Sequence, residues 1–128
     1  MRKIALILVT VALISPFGAT RSMAGEADVV TVEVAASPAD PGMFRFSVTV
    51  RHGDTGWEHY ADGWEVVATE GRVLGRRELL HPHVGEQPFT RGADIRIPPE
   101  IGQVTVRAHD NVHGLGGRVV SVAVPHGG

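Results

Sequence analysis

Phe44-Arg45-Phe46-Ser47-Val48-Thr49-Val50-Arg51 is the stretch that decides the fold. Apolar and polar residues alternate without a break, the period at which an extended chain sends side chains to opposite faces. A helical period would scatter these phenylalanines and valines around a cylinder. The segment reads as a half-buried strand, apolar toward a core and polar toward water.

Working outward, Val30, Val32 and Val34 alternate with Thr31 and Glu33, which predicts a preceding strand, and the prolines and glycine of residues 37–42 predict the turn between the two. On the other side, residues 52–62 read as a loop and Trp64–Ala68 as a strand. Residues 69–72 read as a hairpin turn, and Val73–Leu80 as a returning strand with a bulge at Gly75. Residues 84–93 read as a loop, 94–97 as a short strand stopped by Pro98-Pro99, and Gln103–Ala108 as a strand facing Val104, Val106 and Ala108 inward. Residues 109–117 read as a loop and 118–124 as the last strand. Seven short strands at regular spacing, with no helical pattern, predict an all-β, immunoglobulin-like antiparallel β-sandwich.

The N-terminus is set apart from this domain. Arg2 and Lys3 precede an apolar run over Ile4–Ile14, and Ser22-Met23-Ala24 offers the small residues a signal peptidase reads. Residues 1–24 are therefore expected to be a cleaved signal peptide, leaving 25–128 as a single domain in the periplasm or outside the cell. A cut after Ala27 is the alternative. The apolar run is too short to span a bilayer comfortably, so no membrane insertion is expected once the signal is gone. With no cysteine, the chain lacks both disulfides and a thiol for lipid attachment. Removing Arg2, Lys3 and Arg21 leaves nine basic residues, all arginine, against fourteen acids, a net charge of −5. That balance argues against nucleic acid and anionic membranes as partners.

Seven histidines are an excess for a chain of this length. With seven strands, successive loops fall at alternate ends of the sandwich. Residues 37–42, 69–72 and 98–102 share one end and hold no histidine. Residues 52–62, 81–93 and 109–117 share the other and hold His52, His59, His81, His83, His109 and His113. Six converging imidazoles point to one transition-metal ion, and imidazole suits iron, copper and zinc. Pro82 keeps its neighbours extended, which puts His81 and His83 on one side. Asp110 is placed to bind the ion or to orient an imidazole. His126 lies in the C-terminal tail and reads as solvated.

Two stretches resemble a known family. His52-Gly53-Asp54-Thr55-Gly56-Trp57-Glu58-His59-Tyr60, followed by Trp64-Glu65-Val66, resembles the first metal-binding segment of superoxide reductases and the desulfoferrodoxin iron domain. Asn111-Val112-His113-Gly114-Leu115 resembles their second, Cys-Asn-x-His-Gly-Leu. The resemblance implies an immunoglobulin-like fold, a mononuclear iron centre, and His52, His59 and His113 as equatorial ligands. Asp110 stands where the family has its cysteine, residues 25–51 hold no histidine to match its early-loop ligand, and the domain has no lysine.

Three functions remain open. The first is an exported metal-binding protein, its metal iron by resemblance and copper or zinc by ligand chemistry, served by a periplasmic redox or carrier partner. The second is a superoxide reductase-like oxidoreductase at the same site. The third is a metal-free interaction module docking through Trp57, Tyr60 and the histidines.

Overall fold

The computed structural model describes residues 25–127 of the 128-residue chain. The expected signal peptide lies outside the described residues. Seven strands run in order: β1 (Asp28–Ala36), β2 (Met43–Arg51), β3 (Ala61–Ala68), β4 (Val73–Glu78), β5 (Phe89–Arg96), β6 (Gln103–Asp110) and β7 (Val120–Ala123). They form two antiparallel sheets, β1-β2-β5 and β4-β3-β6-β7. The described part is an all-β sandwich, as expected. Between the sheets lie Phe44, Phe46, Val48 and Val50 of β2, Trp64 and Val66 of β3, Ile95 of β5, and Val104, Val106 and Ala108 of β6.

In a constant-type immunoglobulin domain the fourth strand sits in the sheet of the first two. Here it pairs with β3. The link is a tight hairpin, in which the Ala68 amide donates to the Arg72 carbonyl (2.9 Å) and the Gly71 amide to that of Ala68 (2.8 Å). A turn this short holds its strands as hydrogen-bonded neighbours. The Arg77 guanidinium donates to the Gly92 carbonyl of β5 at 2.8 Å, joining the two sheets.

Three differences from the sequence reading bear on the core and the site. β1 bulges between Val29 and Thr31, so Val29 takes the core position and Val30 falls out of the alternation. β5 begins at Phe89 rather than 94, because Phe89 is itself a core residue. β6 runs on to Asp110, which sets the orientation of His109 described below.

The connections sort as the strand count requires. At one pole Arg96 bonds Asp40 across the 37–42 turn, and the Ile97 amide donates to the Gly42 carbonyl. At the other pole the segments following β2, β4 and β6 meet, and the histidines are there.

Candidate metal centre

Three histidine-bearing segments reach this pole, and a buried carboxylate ties two of them together. Asp54 accepts from His52 Nδ1 (2.6 Å) and the Ala61 amide (3.0 Å) through Oδ1, and from the His83 amide (2.8 Å) through Oδ2. The loop after β2 is thereby fastened to the start of β3 and to the 79–88 connection. Gln87 adds a second tie, its Oε1 accepting from the His52 amide at 2.9 Å. Asn111 does the same for the loop after β6. Its side chain accepts from the Tyr60 amide (2.9 Å) and donates to the Trp57 carbonyl (2.9 Å), while its own amide donates to the Tyr60 carbonyl (3.1 Å).

The Asp54 bond fixes His52 as well as the loop. With Nδ1 donating, Nε2 of a neutral ring carries the lone pair and faces inward. It lies 3.2 Å from His59 Nε2, 3.4 Å from Asp110 Oδ2 and 3.0 Å from the Gly25 carbonyl oxygen. His59 Nε2 lies 3.6 Å from Asp110 Oδ1. His52 is 2 % exposed and Asp110 fully buried.

Asp110 ends β6 on its inward face. Gly114, at φ 75°, closes the next turn in the left-handed region that glycine tolerates, with its amide and carbonyl paired to those of Asp110. Asp110 Oδ1 accepts from the Val112 (2.8 Å) and His113 (2.6 Å) amides, and Oδ2 lies 3.3 Å from His113 Nδ1. Burial alone pushes this carboxyl up. The two backbone donors, with the side-chain bond from His113, outweigh that and hold it below the usual carboxylate range.

His52, His59 and Asp110 each offer one ligand atom within 4.8 Å of the others, a group that can hold a metal ion. The fit rests on the donor chemistry. Ligand atoms about 2.0–2.1 Å from one ion, at tetrahedral or octahedral angles, lie roughly 2.8–3.4 Å apart. The 3.2 and 3.4 Å separations fall in this range, and the third, 3.6 Å between His59 Nε2 and Asp110 Oδ1, lies just outside it. Two imidazole nitrogens, a carboxylate and a carbonyl oxygen converge, with no arginine on the Asp110 carboxylate among the described residues. Such a cluster calls for a positive charge at its centre.

The six expected histidines therefore divide. His52 and His59 belong to the cluster, and His113 borders it, its ring centroid 5.0 Å from that of His59. His109 points away. Because β6 continues to Asp110, His109 alternates to the opposite face and donates from Nδ1 to Asp62 at 2.5 Å. His81 and His83 do share a side, ring centroids 4.7 Å apart, but outside the cluster. His83 stacks on Phe89 (3.9 Å, 9°) and accepts from Arg91 through Nε2 (3.0 Å). Burial, then the Arg91 charge, lowers its pKa. The sequence reading passed over Asp54 and Asn111 as site residues.

The fold and the cluster define a β-sandwich with a two-histidine, one-carboxylate group at one pole. No protein-family model matches the chain. Over 102 residues it is 44 % identical to a Halomicrobium mukohataei protein named "Putative lipoprotein", a match covering 80 % of this chain and 49 % of that protein. The chain thus spans about half the length of the curated relative it matches. Among solved structures it is similar to the superoxide reductase (neelaredoxin) from Ignicoccus hospitalis, with 15 % identity, 77 % of this chain and 80 % of that chain covered, and a TM-score of 0.49. It is also similar to the superoxide reductase (1Fe-SOR) from Giardia intestinalis, with 16 % identity, coverage of 76 % and 99 %, and a TM-score of 0.43.

Proposed function

We propose that this is an exported metal-binding protein holding one transition-metal ion through His52, His59, His113 and Asp110. The observation that carries the reading is the convergence of His52 Nε2 and His59 Nε2 on the buried Asp110 carboxylate. Iron is the favoured metal. His52, His59 and Asp110 match the two-histidine, one-carboxylate triad of non-haem Fe(II) sites, His113 would add a fourth ligand, and the segments around His52 and His113 resemble those of superoxide reductases. Asp110 supplies a hard oxygen donor at the position of the family's thiolate.

Bound iron would supply one-electron redox chemistry. The chain's own groups do the rest. Asp54 fixes the His52 tautomer and aims Nε2, as carboxylates behind ligating histidines commonly do. Asn111 fixes the spacing between the loop bearing His59 and the loop bearing His113. Trp57, 64 % exposed and edge-on to Tyr60 at 5.5 Å, lies in the loop between His52 and His59.

The test is elemental analysis of protein purified from its native export route without an affinity column. About one equivalent of metal is expected, together with a rise in melting temperature on adding Fe(II) to the apo form. Free metal at ~100 times its dissociation constant adds about 2.7 kcal/mol. Metal far below one equivalent, with no thermal response to Fe(II), Cu(II) or Zn(II), refutes the reading.

A further inference from the structure

The N-terminal lead-in is built into the metal-site pole. The Gly25 carbonyl oxygen lies 3.0 Å from His52 Nε2, the nitrogen that faces His59 and Asp110. Two residues on, Ala27 is fully buried in the core. Its carbonyl oxygen passes so close to Gly117 that a Cβ there would meet it at 2.1 Å, so only glycine fits. Asp28 and Val29 clamp the same strap, Asp28 Oδ1 accepting from the Arg118 amide (2.7 Å) and the Val29 amide donating to the Arg118 carbonyl (2.8 Å). Residues 25–27 therefore pack as part of the domain. A cut after Ala27 would remove a core residue, whereas the expected cut after Ala24 makes Gly25 the first residue.

We propose that this new terminus is itself a ligand: the Gly25 α-amine, with its carbonyl oxygen, chelates the metal beside His52, His59 and Asp110. The proposal rests on the metal-site reading above. The amine and carbonyl of one residue close a five-membered ring with an ion, and the carbonyl already stands at the cluster. In the uncut precursor the same nitrogen is an amide, its lone pair delocalised into the peptide bond and unavailable as a donor. Signal cleavage then completes the site, and the precursor binds metal more weakly than the exported protein.

The test compares protein beginning at Gly25 with protein that retains Ala24 before it. Fe(II) affinity is measured anaerobically by competition with a chromophoric chelator, and the intact mass of natively exported protein fixes the true terminus. Losing a supporting group behind a metal ligand typically costs about 10–100-fold in affinity. Retaining Ala24 removes a direct donor and should weaken Fe(II) binding at least roughly tenfold, with the metal-free melting temperature unchanged. Equal affinity of the two forms overturns this proposal and leaves the histidine site standing, and so does a native terminus at Asp28. Failure of both forms to bind Fe(II) removes the metal site itself.

Discussion

Asp54→Asn separates the supporting carboxylate from the ligands it positions. The carboxylate accepts three buried hydrogen bonds, at 2.6, 3.0 and 2.8 Å. Asparagine keeps one acceptor oxygen, enough for His52 Nδ1 and the Ala61 amide. Its NH2 then confronts the His83 amide, donor against donor. One buried donor left unpaired costs about 1–3 kcal/mol. For a domain of this size that lowers the melting temperature by ~4–8 °C per kcal/mol. The substitution also replaces a charge-assisted bond to His52 with a neutral one, so the ring is less basic and less firmly aimed. Fe(II) affinity should fall by roughly 10–100-fold. Thermal melts of the apo form and chelator competition measure the two effects separately. A folded variant that binds Fe(II) as tightly as the parent refutes the reasoning.

The ligand assignment predicts that His52→Ala, His59→Ala and Asp110→Ala each abolish stoichiometric Fe(II) binding in chelator competition, whereas His109→Gln, on the far face of β6, leaves it unchanged. Gly117→Ala must displace the Ala27 strap, and denaturant melts should show a loss of about 1–3 kcal/mol, the usual cost of overpacking. His83 is buried with a lowered pKa, so below about pH 6.5 the unfolded chain binds protons that the folded chain resists. Apo stability should therefore fall as pH drops below that value, and urea titrations of His83→Gln should lose this slope. Asp110 is also depressed. Its stabilising contribution is complete above about pH 4 and is lost as pH falls through the lower folded value.

The fold was legible because β2 is amphipathic at a pure period of two, and because glycine and proline mark the turns between the other strands. The strand count then placed the histidine-bearing connections at one pole. What escaped was the division among the histidines. The inward series Val104, Val106 and Ala108 extends by parity to Asp110 and puts His109 outside, so a longer reading of β6 would have separated those two neighbours. The 81–83 pair escaped for a different reason. Pro82 keeps both rings on one side, but the stacking of His83 on Phe89 and its bond to Arg91 decide which side, and both partners lie in a segment read as loop. Asp54 stood in the sequence as one acid among several. Its importance comes from accepting two backbone amides, one of them 29 positions away, and main-chain donors leave no trace in residue identity. The Gly25 contact is invisible for the same reason.

The most direct test is an anomalous difference map, at the iron edge, from a crystal of the protein reconstituted with Fe(II). A single strong peak is expected about 2.0–2.2 Å from His52 Nε2, His59 Nε2 and an Asp110 oxygen. A peak between His81 and His83, or at His109, with density at the His52 cluster empty, would contradict it.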